Sequence, residues 1–158
     1  EKGGALFLSG GEVFANSGTL SFWFKVEIIG QETPIIIWNF DGERYTPFVF
    51  EISFSDHDLI YSVYDATENH SEIYANIENP QDWHYVVVTW DLTVSPYKRV
   101  LYIDAKKIAE EGFFFPSLKE TSSVVQIGRK FEQGGEVSFI IDELIFTNWA
   151  KSEEEVVR

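Results

Sequence analysis

The stretch "WHYVVVTWD" at residues 83–91 is rich in β-branched and aromatic residues, a composition typical of a β-strand. Successive side chains of a strand point to opposite faces. The two faces are His84, Val86, Val88 and Trp90 on one side, and Trp83, Tyr85, Val87, Thr89 and Asp91 on the other. Neither face is polar enough for an ordinary solvent-exposed side. The second face must therefore be covered either by more protein or by a ligand, and the sequence leaves both interpretations open.

Strand-like segments of similar composition occupy most of the remaining chain and are separated by turn formers. They are residues 19–29, 34–40, 48–54, 59–65, 72–77, 99–105, 123–129 and 137–147. No long amphipathic helix lies between them, so the pattern predicts an all-β fold with an antiparallel β-sandwich. The segment "SEEE" at 152–155 predicts a short terminal helix with Ser152 as its N-cap and Glu155 reaching back to it.

Composition and charge restrict the class of protein. The chain has 158 residues, of which 44% are hydrophobic, and this predicts a single globular domain over residues 1–158. Absence of cysteine excludes disulfides, thiolate metal sites and cysteine nucleophiles, and absence of methionine leads us to expect a domain excised from a larger protein. No apolar run approaches the roughly 20 residues needed to cross a bilayer, so no membrane insertion is expected. The net charge of −14 disfavours nucleic acid and anionic membranes as partners and is compatible with divalent cations and neutral glycans.

The acidic residues do not form a catalytic pattern. Retaining glycoside hydrolysis needs two carboxyl groups about 5 Å apart, which on a strand requires acids on one face. Asp142 and Glu143 are adjacent in sequence and so point to opposite faces, whereas Glu51 stands alone in its strand. The three histidines have no metal-ligand spacing. We therefore expect no enzymatic activity.

Five segments, taken in order, resemble the laminin G-like domains of the concanavalin A-like lectin/glucanase superfamily. They are "GTLSFWFKV" (18–26), "WHYVVVTWD" (83–91), "LYIDAKKIA" (101–109), "VVQIGR" (124–129) and "IIDELIFTNWAKSEEEV" (140–156). The resemblance implies a jelly-roll β-sandwich of two curved antiparallel sheets, followed by a short C-terminal helical turn. It also implies a secreted or cell-surface protein. Two departures are Ala105, where the family usually has glycine, and "FLSG" (7–10), which lacks the acid of the commoner "FDG".

Several outward-facing residues are candidates for carbohydrate binding, because sugars stack on aromatic rings and their hydroxyls bond to polar side chains. The candidate set is Glu51, Ser53, Tyr64, Tyr74 and Tyr85 on strands, with Arg44 and Tyr45 beside the "DG" turn. We expect the three tyrosines Tyr64, Tyr74 and Tyr85 to form a shallow stacking surface. The tryptophans Trp23 and Trp90 are expected in the core, and core packing is also the preferred interpretation for Trp38.

A structural calcium site is the predicted cofactor. Asp142 shares its strand alternation with Ile140, Leu144 and Phe146, which the resemblance places toward the interior. An ionised carboxylate there needs a cation or several N–H donors. In this superfamily a late aspartate often shares Ca²⁺ with carbonyls of the opening segment, a role open to Gly10 and Gly11 in this chain. An Asp142 held by hydrogen bonds without metal is the alternative.

Two functions follow from these observations. The first is a non-catalytic accessory domain that binds a polysaccharide or glycan and lies beside neighbouring domains of the same chain. The alternative is an adhesion, spacer or assembly domain whose aromatic residues contact protein. An exposed aromatic and polar surface favours the first function, whereas outer aromatics covered by polypeptide favour the second.

Overall fold

A computed structural model describes residues 6–9, 16–28, 35–40, 49–55, 57–64, 70–113, 124–129 and 138–157. These residues form two antiparallel sheets and a single short helix. They divide into two compact units, each built around one of the sheets. The predicted all-β class with antiparallel pairing is confirmed.

The first sheet has six strands in the order β1-β10-β3-β4-β5-β6. Its strands are β1 (Leu6–Ser9), β3 (Ile35–Phe40), β4 (Val49–Ser55), β5 (Asp58–Tyr64), β6 (His70–Asn76) and β10 (Val124–Arg129). One face of β4, β5 and β6 is apolar and buried, and consists of Ile52, Phe54, Leu59, Tyr61, Val63, Ile73 and Ala75. This alternation agrees with the period of two that the sequence shows.

The second sheet has five strands in the order β11-β2-β7-β8-β9. Its strands are β2 (Ser17–Ile28), β7 (His84–Asp91), β8 (Tyr97–Ile103), β9 (Lys106–Phe113) and β11 (Ser138–Thr147). Its inner face carries the buried residues Leu20, Phe22, Phe24, Val26, Val86, Val88, Trp90, Leu101 and Ile103. Burial of Val86, Val88 and Trp90 confirms the predicted inner face of β7.

Gly18 lies opposite Trp90 in the β2–β7 ladder. A Cβ atom at Gly18 would lie 2.1 Å from Cζ2 of Trp90, so the indole occupies the space that any other residue would fill. Glycine at this position is therefore required by the close approach of the ring to the backbone.

Two strands are absent from the sequence-based prediction. β1 is short, and β9 reads "KKIAEEGF", which lacks the apolar alternation of a typical strand. Among the strands that the structure describes, β9 pairs with β8 alone and forms one edge of the second sheet. Charged side chains are common on edge strands because they oppose pairing with another chain.

The terminal helix α1 spans Glu153–Val156 and has Ser152 as its N-cap. The Ser152 N–H donates to Oε2 of Glu155 at 2.8 Å, which is the contact predicted from "SEEE". Within the described residues, no helix has the length and apolar character needed to cross a bilayer.

Candidate functional site

The outer face of β7 is covered by the C-terminal segment 148–157. The Thr19 hydroxyl donates to the Trp149 carbonyl at 2.8 Å and accepts from the Lys151 N–H at 2.9 Å, so this segment is fixed to β2. Val156 packs against Val87 and neighbouring apolar residues of β8. Because Val87 is only 2% exposed, the apolar second face of "WHYVVVTWD" is explained by more protein over most of its length.

The uncovered end of this face is an aromatic patch formed by Trp23, Lys25, Trp83 and Tyr85. The rings of Trp23 and Tyr85 have centroids 5.1 Å apart, and Nζ of Lys25 lies 5.1 Å from the Trp83 ring centroid. Trp83 is 42% exposed, whereas Trp23 and Tyr85 are half-buried. The predicted core position of Trp23 is wrong, because Trp23 alternates with the inward-facing Phe22 and Phe24 and so shares the outer face with Ser21 and Lys25.

The outer face of β5 and β6 holds a second polar and aromatic group, which we name the Tyr74 surface: Ser62, Glu72 and Tyr74. The Tyr74 phenol donates a hydrogen bond to Oε2 of Glu72, and the Ser62 hydroxyl donates to Oε1 at 3.3 Å. Tyr74 is 56% exposed, whereas Ser62 is 1% exposed. The result is an open ring beside a carboxylate that two hydroxyl groups orient.

The strand register relates the other predicted residues of the first sheet to the Tyr74 surface. Glu51 pairs with Ser62, and Ser62 pairs in turn with Glu72. Ser53 pairs with Ile60, which pairs with Tyr74, but Ser53 is only 2% exposed and so does not present its hydroxyl to solvent.

Three predicted residues have less structural support. Tyr64 ends β5 and pairs with His70 at the start of β6. Arg44 and Tyr45 lie outside the described residues. As carbohydrate ligands, all seven candidate residues stay predictions.

The predicted tyrosine surface divides between the two sheets. Tyr74 belongs to β6 in the six-stranded sheet, and Tyr85 belongs to β7 in the five-stranded sheet. Tyr85 faces outward as expected. Its ring packs against Trp23 and against the cluster formed by Val87, Val100, Tyr102 and Val156. Sequence reasoning missed Glu72, although its position two residues before Tyr74 places both on the same face of one strand.

The expected interior position of Asp142 is wrong. Asp142 pairs with Trp23 and is exposed, and its Oδ1 accepts the Glu143 N–H at 2.8 Å. A β-bulge comes directly after Asp142, and Glu143 in it has a φ angle of 50°. Pairing with β2 resumes at Ile145. This extra residue reverses the alternation, so Asp142 and Phe146 do not share a face.

The burial argument for a cation at Asp142 therefore fails. Gly10 and Gly11 lie outside the described residues. Within the part of the chain that the structure describes, no group of three or more His, Cys, Asp or Glu residues could hold a metal ion. The calcium site stays a prediction.

Comparison with solved structures identifies receptor-binding domains of botulinum neurotoxins as similar folds. The binding domain of neurotoxin DC in complex with rat synaptotagmin II superposes with a TM-score of 0.77 at 11% identity, over 97% of this chain and 38% of that chain. The same domain in complex with SialylT gives a TM-score of 0.72 at 12% identity, over 97% and 38% of the respective chains. A structure from neurotoxin type C, whose cell entry depends on interaction with two ganglioside molecules, gives a TM-score of 0.71 at 13% identity, over 89% of this chain and 34% of that chain.

This chain thus spans well under half the length of the neurotoxin domains, and at such identities the likeness shows the fold alone. It confirms the predicted jelly-roll class. Among curated protein sequences, no match was found.

The sequence also matches a family model, Laminin_G_3, described as concanavalin A-like lectin/glucanases superfamily, over residues 2–157. That match covers nearly the whole chain and agrees with the resemblance carried by the five ordered segments. The chain therefore belongs to the laminin G-like branch of the concanavalin A-like lectin/glucanase superfamily.

Proposed function

We propose that this domain binds carbohydrate through the Tyr74 surface. The observation that carries the proposal is the exposed aromatic ring of Tyr74, whose hydroxyl donates a hydrogen bond to the Glu72 carboxylate on the same face of the sheet. The C–H face of a sugar ring stacks on such an aromatic side chain. The carboxylate of Glu72 supplies the acceptor that sugar hydroxyls need.

The Glu72 carboxylate suits this role because it can accept further hydrogen bonds besides those from Ser62 and Tyr74. Each carboxylate oxygen has lone pairs beyond the ones used by Ser62 and Tyr74. The hydrogen bonds restrict the side chain before a ligand arrives, which lowers the entropy cost of binding. With a net charge of −14, the chain favours a neutral glycan over an anionic one.

The similar neurotoxin domains support a binding role in general terms. The binding domain of neurotoxin DC has been solved in complex with SialylT and, separately, in complex with rat synaptotagmin II. We further propose that the present domain is a non-catalytic accessory module of a secreted or cell-surface protein, adjoined by other domains of its chain. The extracellular part of this setting is supported by the family, because laminin G-like domains are typically extracellular.

Protein binding is the second candidate function. It is favoured by the aromatic patch, where Trp83 is 42% exposed and carries the Lys25 ammonium over its ring. Tryptophan is enriched in protein interfaces and among the residues that dominate their binding energy. The two functions use different surfaces and so can be separated by mutation.

A glycan array with the isolated domain tests the proposal. Any glycan found should then be titrated against the parent, Tyr74→Ala and Tyr74→Phe. Loss of the ring should weaken affinity by about tenfold or more, equivalent to about 1.4 kcal/mol. Tyr74→Phe keeps the ring and loses only the phenol hydrogen bond, so a smaller loss is expected.

Trp83→Ala is the matched control, because it removes an exposed ring from the aromatic patch. It should leave glycan affinity unchanged. A glycan whose affinity depends on Trp83 and not on Tyr74 would contradict the assignment of the site. No binding to any glycan, combined with capture of a protein partner that Trp83→Ala abolishes, would favour the second function.

A further inference from the structure

The imidazole of His84 lies between two hydrogen-bond acceptors at the start of β7. Nδ1 is 2.8 Å from Oδ2 of Asp104, and Nε2 is 2.9 Å from the carbonyl oxygen of Asn79. Asp104 belongs to the turn between β8 and β9, and Asn79 belongs to the connection 79–83 that leads into β7. The side chain of His84 is 15% exposed, so water has limited access to it.

The protonation state of His84 follows from its two partners. A neutral imidazole has one N–H donor and one acceptor nitrogen, whereas imidazolium has two donors. A carboxylate and a carbonyl oxygen both accept and cannot donate. In the neutral ring, one nitrogen lone pair would therefore face an acceptor lone pair, and only the imidazolium satisfies both contacts.

We propose that protonated His84 acts as a pH-dependent clamp that joins the connection 79–83 and the β8–β9 turn to the start of β7. The clamp includes more than the ring. Oδ1 of Asp104 accepts the Tyr85 N–H at 2.9 Å, and the Asp104 N–H donates to the Tyr85 carbonyl at 2.8 Å. The Asn79 carbonyl also accepts the Asp82 N–H at 2.9 Å.

The charged groups that act on the His84 ring are Asp104 in the β8–β9 turn and Asp82 in the connection 79–83. From β2, the uncharged ring of Phe24 packs nearby, and its centroid lies 6.3 Å from the centroid of the His84 ring. Burial by itself lowers the pKa of His84. The hydrogen bonds to Asn79 and Asp104, together with the charges of Asp104 and Asp82, outweigh burial, so the pKa is raised above its ordinary value of 6.5.

This direction fixes the sign of the pH dependence. A histidine whose pKa is higher in the folded than in the unfolded state contributes stability that is fully present below the unfolded pKa. That contribution is lost as the pH rises through the folded-state pKa. Proton loss also weakens the attachment of the connection that carries Trp83, so the clamp links pH to the local order of the aromatic patch.

The test is a pH titration of the whole domain by NMR of the histidine side-chain nitrogens, from about pH 5.5 to about pH 8.5. We expect His84 to titrate above its ordinary range, with both ring nitrogens protonated in the lower part of the range. Asp104→Asn keeps the oxygen that accepts the Tyr85 N–H and removes the charge, so the midpoint should fall. A His84 midpoint at or below that of an unperturbed histidine, or one that Asp104→Asn leaves unchanged, would overturn the proposal.

Urea unfolding over the same pH range gives a second measurement. The unfolding equilibrium constant of the parent should rise with pH relative to that of His84→Gln, which has no titrating ring. His70→Gln is the matched control, because it removes a histidine of the six-stranded sheet and leaves the Asp104 and Asn79 contacts of His84 in place, so its pH profile should still differ from that of His84→Gln. Identical pH profiles for the parent and His84→Gln would overturn the clamp, and if His84→Gln does not fold, the titration of the parent and Asp104→Asn decides. No glycan is used, so the result is independent of the proposed binding function.

Discussion

Tyr74 on β6 and Tyr85 on β7 both point away from the buried faces of their sheets, yet their surroundings differ. The Tyr74 ring is 56% exposed and is bonded through its hydroxyl to Glu72. The Tyr85 ring is half-buried and packs against Trp23 and the cluster that includes Val156. The difference arises because segment 148–157 covers the outer face of the second sheet around Thr19 and Val87. An outward strand position is therefore available to a ligand only where no other segment of the chain has covered it.

The largest loss of stability is expected on the inner face of β7, where the side chains of Val86, Val88 and Trp90 are buried. Trp90 is 1% exposed and its ring fills the space above Gly18. Trp90→Ala should lower the free energy of unfolding by about 3–5 kcal/mol, since it leaves a large cavity. Urea denaturation measures this loss, and a value below about 1 kcal/mol would mean that the indole contributes no more than a surface side chain.

The hydrogen bonds that fix the covering segment should have the next largest effect. Thr19→Val keeps the shape of a residue that is 1% exposed but leaves the Lys151 N–H without its acceptor. The expected loss of unfolding free energy is about 1–3 kcal/mol, the range for a buried polar group deprived of its partner. Thr147→Val is the control, because the Thr147 hydroxyl only adds a second donor to the Trp149 carbonyl at 3.2 Å. Equal losses for the two variants would show that the Thr19 contacts do not hold the segment.

The apolar part of the cover is tested by Val156→Ala. Val156 is 8% exposed against the outer face, and removing two methyl groups should cost about 1–2 kcal/mol. The adjacent Val157 is 52% exposed, so Val157→Ala should change stability by less than about 0.5 kcal/mol. Thermal or urea unfolding of the pair measures the difference, and similar values for the two valines would contradict the assigned cover.

Only a small effect on stability is expected at the Tyr74 surface. Tyr74→Ala removes an exposed ring and should change the free energy of unfolding by less than about 0.5–1 kcal/mol. Urea denaturation of Tyr74→Ala therefore measures the stability loss to be compared with that of Trp90→Ala. A loss as large as that of Trp90→Ala would mean that the Tyr74 ring is a packing element, and its assignment to a binding surface would then fail.

The alternation of apolar residues predicted the inner faces of both sheets, because a strand buried on one side must keep its apolar residues in phase. The same alternation places Trp23 outside, between Ser21 and Lys25, so the phase of the strand decides the facing of this large aromatic residue. Ala105, where the family usually has glycine, adopts φ 61 in the β8–β9 turn. The backbone thus keeps the left-handed conformation although the residue that favours it is replaced.

Other features depend on tertiary contacts that a strand pattern does not contain. The bulge at Glu143 puts Asp142 and the later residue Phe146 on opposite faces, and no glycine in the sequence marks its position. The motif "SEEE" predicted the start of α1 but not the face on which Val156 packs. The Ser62–Glu72 contact joins neighbouring strands, so it required the register of β5 and β6.

The proposed function places the ligand on the outer face of β5 and β6. Chemical-shift mapping by NMR tests it most directly, with the ¹⁵N-labelled domain titrated with a glycan identified on the array. The largest shifts should fall on the amides of residues 60–62 and 72–74, and these shifts should disappear in Tyr74→Ala. Shifts concentrated instead at residues 83–85 and 23–25, and retained in Tyr74→Ala, would contradict it.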